Sequence, residues 1–235
     1  MLLWNTGENT MNLKQLPRMI DLSCVKTEIT KSDLISMVEM AKTHRFICCF
    51  AMPCYTEWLI EQLKDEADIA VGGTIGFPSG ADMTETKVAT ARTFYRMGCK
   101  EMDMVLNVSA LKSGEFALVE NDIRRIREAV AECVMKVILE VAYLSDDEIK
   151  RASEIAVKCG ADYVKTGTGW AGTPTTVRHI QLIHDTIGDS AKIKAAGGVH
   201  TLKDICKMVE AGCSRFGIGV RSAGRILEEA GLSSQ

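Results

Sequence analysis

A short apolar segment followed by a longer segment with helical spacing recurs eight times along the 235-residue chain. The apolar segments are MIDLSCV (19–25), RFICCFAM (45–52), IAVGGTIGF (69–77), EMDMVLNV (101–108), MKVILEVAY (135–143), DYVKTGTG (162–169), KIKAAGG (192–198) and RFGIGV (215–220). Intervening segments such as TETKVATARTFYRMG and SDDEIKRASEIAVKCG carry apolar residues at intervals of three and four, begin with Ser or Thr and end in Gly. The pattern predicts eight consecutive βα units.

Strands that alternate with crossover helices form a parallel sheet, and eight such units in a chain of this length close most economically into a (β/α)8 TIM barrel of the α/β class. An open doubly wound sheet is the alternative, but no GxGxxG follows the first predicted strand. We predict one domain over residues 1–235, in which residues 1–17 form an N-terminal extension. The barrel places any active site at the carboxyl ends of its strands.

Composition points to a small-molecule partner. The formal net charge is -3 and basic residues are scattered rather than clustered, so the sequence does not suggest nucleic-acid binding. The N-terminal segment has neither a basic start nor a long apolar run, and we expect no signal peptide, no membrane anchor and a cytoplasmic location. The nine cysteines contain no CxxC pair, which favours buried, reduced thiols.

Three ionisable residues lie near the ends of predicted strands four, six and seven: Asp103, Lys165 and Lys194. Lys165 lies in the apolar run YVKTG, so it points into the barrel or at a helix, and a buried ammonium is unfavourable unless it is paired or loses its proton. Two amines in one pocket repel each other, which lowers the pKa of the more buried amine. By contrast, Lys136 and Lys192 are interpreted as surface lysines with extended stems.

A free amine near neutral pH is a nucleophile for carbonyl carbon, so these residues indicate Schiff-base catalysis. Two alternatives stay open at this point: Asp103 as a purely structural partner of a lysine, and a barrel that binds a ligand without catalysis. Metal-dependent chemistry has less support, because the four histidines form neither HxH nor HExxH. Hydrolase chemistry lacks a GxSxG motif.

Glycines follow the last two predicted strands, in AAGGV and GIGV. Without a Cβ the backbone can approach a ligand closely, and N–H groups at the start of a following helix bind phosphate well. In a barrel, the loops after strands seven and eight often form a phosphate site. Gly197, Gly198 and Gly219 therefore suggest a phosphorylated substrate.

The chain resembles the class I 2-deoxyribose-5-phosphate aldolase family from MIDLS to RFGIG. The resemblance rests on GGTIGFPSG, TETKVATAR, EMDMVLNVSALKSGE, MKVILEVAYLSDDEI, GADYVKTGTGW and IKAAGGVHTLKDICKMVEAG, in the family's order and spacing. It implies a TIM barrel that cleaves deoxyribose 5-phosphate reversibly to acetaldehyde and glyceraldehyde 3-phosphate, without a metal or organic cofactor. The family's Schiff-base lysine falls on Lys165, its second lysine on Lys194 and its proton-relay aspartate on Asp103.

The resemblance also implies substrate contacts. Asp21 and Ser23 match the family's D-x-(T/S) pattern on strand one, Thr168 would hydrogen bond to the substrate, and Gly169 and Gly197 to Gly198 would join Gly219 around the phosphate. Two segments depart from the family. Phe50 to Met52 replace polar residues, and Gly219 and Val220, followed by Arg221, replace a hydroxylated pair. Arg221 either supplies a compensating charge for phosphate or faces a helix without a role.

These departures leave a lysine-dependent aldolase with a different, phosphorylated substrate as an alternative. Barrels of this kind often self-associate, and a homo-oligomer is expected.

Overall fold

The computed structural model describes residues 3–6 and 9–232, with side chains from residue 12 onward. Strands β1 (Leu3–Thr6) and β2 (Asn9–Asn12) pair as an antiparallel hairpin. A 3-10 helix over Leu13–Met19 follows and buries Leu13, Leu16 and Pro17. Residues 1, 2, 7, 8 and 233–235 lie outside the described residues. The organisation as one domain over 1–235 with an extension over 1–17 therefore stays a prediction.

Eight parallel strands close into a barrel, which confirms the predicted TIM-barrel fold. They are β3 (Ile20–Cys24), β4 (Cys48–Ala51), β5 (Ala70–Ile75), β6 (Glu101–Val105), β7 (Val134–Ile138), β8 (Tyr163–Lys165), β9 (Lys192–Ala196) and β10 (Arg215–Gly219). Neighbours in sequence pair throughout, and β10 closes the barrel against β3. Seven of these strands lie within the predicted apolar segments, and β7 begins one residue before its segment, at Val134. The segments are apolar because a strand covered by helices outside and packed inside is apolar on both faces.

Helices cover the barrel. They are α1 (Lys31–His44), α2 (Thr56–Leu63), α3 (Thr84–Met97), α4 (Val108–Lys112), α5 (Phe116–Ala129), α6 (Asp146–Lys158), α7 (Val177–Ile187), α8 (Leu202–Glu210) and α9 (Val220–Glu229). Short 3-10 turns lie at Pro53–Tyr55, Val141–Tyr143 and Gly188–Ser190. The helix start signals operate as predicted for α6, where Ser145 and Glu148 form a reciprocal capping box. None of the helices in the described residues has the length and apolar character needed to span a bilayer.

The core lies between the strands and the helices. Leu22 and Met102 alternate with inward-pointing polar residues, and with Cys49, Val137 and Val164 they are fully buried against the helical layer. A buried ion pair also lies outside the lumen. Lys87 Nζ donates to Asp122 Oδ2 at 2.5 Å and to the carbonyl of Val105 at 3.1 Å, which ties α3 to α5 and to the end of β6.

Candidate active site

Two lysines share one carboxylate inside the barrel. Lys165 on β8 and Lys194 on β9 are direct register partners, so their side chains lie next to each other on the inner face. Lys165 Nζ donates to Asp103 Oδ2 at 2.7 Å, and Lys194 Nζ donates to the same oxygen at 2.6 Å. Lys194 also donates to Asp21 Oδ2. The structure thus brings together the three residues that the sequence selected for catalysis.

Lys136 belongs to the same cluster, and its interpretation as a surface lysine is wrong. Its side chain is fully buried, donates to Asp21 Oδ2 at 3.0 Å and to Glu101 Oε2, and lies 3.1 Å from Asp103 Oδ1. The cause is strand parity: Lys136 pairs in register with Asp103 and therefore points into the lumen. Its central position in an apolar strand is the signal that could have identified it. Lys192, the first residue of β9, is exposed as interpreted.

The lumen holds charges of both signs in nearly equal number. The carboxylates are Asp21, Glu101 and Asp103, and the cations besides Lys165 are Lys136, Lys194 and Arg215. Arg215 Nε donates to Asp21 at 2.6 Å and its Nη2 to Glu101 at 2.8 Å, so these acids are neutralised deep in the barrel. Three carboxylates balance three cations, and a proton on Lys165 leaves one uncompensated positive charge in a buried cluster. Such a charge is strongly disfavoured.

The pKa of Lys165 follows from this imbalance. The net pKa is about 8. Burial is the largest influence and lowers the pKa, the carboxylate of Asp103 opposes the shift, and the charge of Lys194 adds to the lowering. The sequence-based expectation was correct in direction. Burial, however, contributes more than the second lysine does, because the ammonium has lost most of its water. About a tenth of Lys165 is therefore free amine at pH 7, against about 0.03% of an ordinary lysine.

Asp103 and Lys136 keep their charges despite burial. Burial alone would raise the pKa of Asp103, but Lys136, Lys165 and Lys194 outweigh it and hold that pKa well below its usual value. Burial alone would lower the pKa of Lys136, but Asp103, Asp21 and Glu101 outweigh it and raise that pKa. Lys165 thus releases its proton more readily than Lys136 does.

Above the cluster, at the carboxyl ends of the strands, lies an open cavity. It is lined by Asp21, Ser23, Val25, Phe50, Thr74, Phe77, Asp103, Lys165, Thr168, Lys194, Ala196, Gly197 and Gly217. Asp21, Ser23, Thr168 and Gly197 are thus placed where the sequence predicted substrate contacts. Sequence reasoning missed Val25, Thr74 and Phe77, since none of them carries a charge that would mark it as a site residue.

The remaining predicted phosphate residues are not among those that line the cavity. Gly169 packs against Gly197, since a Cβ built on Gly169 would lie 3.5 Å from the Gly197 Cα. Gly198 has φ +86° and no room for a side chain, because a Cβ there would lie 2.4 Å from Pro174 Cβ. Gly219 is exposed at the end of β10, and Arg221 is exposed in the first turn of α9.

Glu140 shapes the rim next to Lys165. It has φ 58° and ψ 61°, a conformation that non-glycine residues adopt rarely, and its carboxylate accepts from the backbone N–H of Thr168 at 3.2 Å and from the Thr168 hydroxyl. The Thr168 hydroxyl also accepts from Trp170 N at 3.0 Å. Glu140 therefore fixes the loop that follows β8.

Phe50 forms an apolar wall beside the lysines, at one of the positions where the sequence departs from the family. Its ring centroid lies 4.7 Å from Lys194 Nζ and 4.8 Å from Lys136 Nζ, within cation–π range. The ring occupies space left by Gly72, where a Cβ would lie 2.1 Å from Phe50 Cζ. Phe50 and Gly72 are therefore sterically matched.

One histidine lies near the mouth of the barrel, and one group of potential metal ligands lies in its lumen. His200 is exposed and its Nδ1 lies 3.0 Å from the hydroxyl of Ser222, at the rim rather than in the cavity. Asp21, Cys48 and Glu101 bring potential ligand atoms within 4.8 Å of one another. Lys136 contacts both carboxylates, so an ammonium group already occupies the position that would attract a cation.

Sequence comparison with known proteins agrees with this geometry. The model of the DeoC/LacD family aldolase matches residues 18–229. The deoxyribose-phosphate aldolase of Rhizobium meliloti (strain 1021) is 40% identical over 210 residues, which cover 89% of this chain and 85% of that protein. The deoxyribose-phosphate aldolase of Klebsiella pneumoniae is 36% identical over 230 residues, which cover 96% of this chain and 92% of that protein.

Solved structures agree as well. The tetrameric deoxyribose phosphate aldolase of Aeropyrum pernix superposes with a TM-score of 0.84 at 26% identity and covers 92% of this chain and 91% of its own. The aldolase QR15 superposes with a TM-score of 0.81 at 31% identity, over 91% of this chain and 94% of its own. The chain therefore belongs to the DeoC/LacD family of aldolases, which are carbon–carbon lyases.

Proposed function

We propose that this protein cleaves 2-deoxy-D-ribose 5-phosphate reversibly to acetaldehyde and D-glyceraldehyde 3-phosphate, with Lys165 as the Schiff-base residue. The observation that carries the proposal is a lysine at the floor of an open cavity with a pKa lowered to about 8, hydrogen bonded to the carboxylate that also binds Lys194. The substrate follows from the names of the relatives, which are deoxyribose-phosphate aldolases at 36–40% identity.

In the cleavage direction, the free amine of Lys165 adds to the C1 aldehyde carbon of the open-chain sugar. The resulting carbinolamine loses its hydroxyl group as water and becomes an iminium ion. Removal of the proton from the C3 hydroxyl then allows the C2–C3 bond to break. The bonding electrons move to C2 and neutralise the iminium as an enamine, while C3 leaves as the aldehyde of D-glyceraldehyde 3-phosphate.

The second half regenerates the amine. C2 of the enamine takes up a proton, and water hydrolyses the acetaldehyde iminium to release acetaldehyde and free Lys165. Asp103 is suited to proton transfer because one of its oxygens lies within 2.7 Å of both amines. Lys194 supplies the charge that keeps Asp103 ionised and holds down the pKa of Lys165.

Borohydride trapping tests the proposal. Wild-type protein incubated with acetaldehyde and sodium borohydride should gain one ethyl group, and peptide mass spectrometry should place it on Lys165. Lys165→Ala should show neither trapping nor cleavage of deoxyribose 5-phosphate, whereas Lys192→Ala, an exposed lysine on the neighbouring strand, should retain both. Trapping of another aldehyde without turnover of deoxyribose 5-phosphate would refute the substrate and retain the lysine chemistry.

We also infer a homo-oligomer in the cytoplasm that does not bind nucleic acid. The oligomer is supported by the tetrameric relative from Aeropyrum pernix, and the location by nine cysteines that all carry free thiols. The net charge of -3 is consistent with a partner other than nucleic acid. Light scattering coupled to size exclusion would determine the assembly, and a monomer at micromolar concentration would contradict the inference.

A further inference from the structure

The segment after β3 reaches across the cavity mouth to the segment after β8. Lys26 Nζ donates to the carbonyl of Gly169 at 2.5 Å, and the indole Nε1 of Trp170 donates to the carbonyl of Val25 at 2.9 Å. Lys26 Nζ also lies 5.2 Å from the centroid of the Trp170 ring. We call these four residues, Val25, Lys26, Gly169 and Trp170, the rim bridge.

The rim bridge lies over the part of the mouth where phosphate is expected. In the barrel order, β9 and β10 separate β8 from β3, so a contact between the loops after β8 and β3 passes across the ends of β9 and β10. Gly197 follows β9 and Gly219 ends β10. Trp170 is further braced by an edge contact with Phe77, at 6.0 Å between ring centroids, on the opposite wall.

Phosphate recognition at this position needs a positive charge that the catalytic cluster cannot supply. Lys165 and Lys194 are bonded to Asp103 at the cavity floor, and Arg215 is bonded to Asp21 below them. The ammonium of Lys26 contacts a neutral carbonyl and a ring, and it forms no ion pair with any carboxylate in the described part of the chain. An ammonium has three N–H donors, so Lys26 can retain Gly169 and still donate to a phosphate oxygen.

Arg221 is the rival cation at the rim. It lies in the first turn of α9 and is exposed. Asp33 lies near enough for the charge of Arg221 to contribute to its lowered pKa, which is caused chiefly by hydrogen bonds with Thr30. Lys26, with no acidic partner and with a contact to Gly169, is better placed for an anion between Gly169 and Gly197.

We propose that Lys26 is the side chain that recognises the substrate phosphate, with Gly169 and Trp170 holding its ammonium over the mouth. This inference rests on the proposed function. It adds a specificity residue that contacts the phosphate end of the substrate and takes no part in bond making or breaking. The cation–π contact and the hydrogen bond restrict Lys26 before the substrate binds, which lowers the entropy lost on binding.

The test compares Lys26→Met with Lys26→Arg, Arg221→Met and a matched control, Lys31→Met. Lys31 is also a lysine in a cation–π contact, but with Trp58 at 3.4 Å, away from Gly169. Three quantities are measured: KM and kcat for deoxyribose 5-phosphate, the inhibition constant of inorganic phosphate, and the rate of borohydride trapping with acetaldehyde, which has no phosphate.

Lys26→Met should raise KM and the phosphate inhibition constant about 10- to 100-fold, as expected for the loss of one hydrogen bond to a charged group, while kcat and acetaldehyde trapping stay near wild type. Lys26→Arg should recover most of the loss, and Lys31→Met should resemble wild type. KM should also depend less on salt in Lys26→Met, because one screened charge pair is gone.

Two results would overturn the inference. Equal losses in acetaldehyde trapping and in deoxyribose 5-phosphate turnover would show that Lys26 only supports the loop. A phosphate-selective loss in Arg221→Met but not in Lys26→Met would assign the charge to Arg221. Failure of the proposed function is distinguishable from both, since wild-type protein would then not cleave deoxyribose 5-phosphate at all.

Discussion

Removal of the Lys136 ammonium should raise the pKa of Lys165 and shift activity to higher pH. Lys136 is fully buried and contacts Asp21, Glu101 and Asp103, while Lys165 contacts the other oxygen of Asp103. In the wild type, three carboxylates are balanced without a proton on Lys165. In Lys136→Met, one carboxylate lacks a counter-charge unless Lys165 is protonated, so the ammonium form of Lys165 is favoured.

The magnitude follows from the distance between the two amines. Their nitrogens contact the two oxygens of one carboxylate, and at a separation of about 6 Å two unit charges repel by about 2.8 kcal/mol at an effective dielectric constant of about 20. That energy corresponds to about two pH units in the ionisation of Lys165. The free-amine fraction at neutral pH should fall by about 100-fold, and catalysis that depends on it should fall similarly.

The assay is the pH profile of kcat/KM for deoxyribose 5-phosphate, together with the pH profile of borohydride trapping by acetaldehyde. In the wild type, both should rise with pH through the Lys165 pKa of about 8, because the ammonium must lose its proton to attack. In Lys136→Met the inflection should lie about two pH units higher. Lys192→Met carries the same substitution at an exposed position and should leave the inflection in place.

Folding must be checked alongside, because removal of one partner from a buried charge network costs about 3–5 kcal/mol. A second variant, which removes a negative charge instead of a positive one, keeps the explanation testable if Lys136→Met does not fold. Glu101→Gln removes a negative charge from the lower cluster, where Glu101 contacts Lys136 and Arg215. At about 10 Å from Lys165, the loss of this negative charge should lower the inflection of the pH profile by about one pH unit. An unchanged or upward inflection in Glu101→Gln, or an unchanged one in Lys136→Met, would refute the charge-balance explanation.

Other substitutions separate packing from chemistry. Lys87→Met leaves a buried carboxylate without its partner and should lower the free energy of unfolding by about 3–5 kcal/mol in urea titration, with no change in the pH profile. Gly72→Ala should destabilise the barrel because its Cβ would overlap the Phe50 ring at 2.1 Å, and adding Phe50→Leu should restore most of the stability; no rescue would contradict the steric match. Asp103→Asn should lower the pKa of Lys165 and reduce kcat by about 10²- to 10⁴-fold while trapping persists, and an unchanged kcat would exclude Asp103 from proton transfer.

Much of the fold could be predicted because its signals are local. Helix caps such as Ser145 with Glu148 act within one turn, and each barrel strand is a short apolar run bounded by turn residues. The roles of Lys165 and Lys194 could be anticipated for a related reason: an ionisable side chain in an apolar strand must be buried, and burial alters its proton affinity.

Lys136 lies in a strand that is equally apolar and should have been treated in the same way. It was assigned to the surface because a lone lysine near a strand end usually extends its stem to the solvent. Strand parity alone does not distinguish the lumen from the helical layer. The register partner decides it, since Lys136 lies opposite Asp103.

The rim contacts show the limit of sequence reasoning more clearly. Lys26 and Gly169 are 143 residues apart, and Glu140 and Thr168 are 28 apart. No sequence pattern predicts either contact, because each depends on two loops that meet only after the barrel has closed. The fit of Phe50 to Gly72 is of the same kind, since it depends on the space between adjacent strands.

The sequence by itself determined the eight βα units, the barrel and the strands on which Lys165, Lys194 and Asp103 lie, because hydrophobic periodicity acts over a few residues and leaves few ways to bury the chain. Only the tertiary structure decided that, among the described residues, four cations face three carboxylates in one lumen, and that the carboxylates are balanced without the proton of Lys165. Charge balance is a property of groups brought together from several strands, so it exists only in the closed barrel.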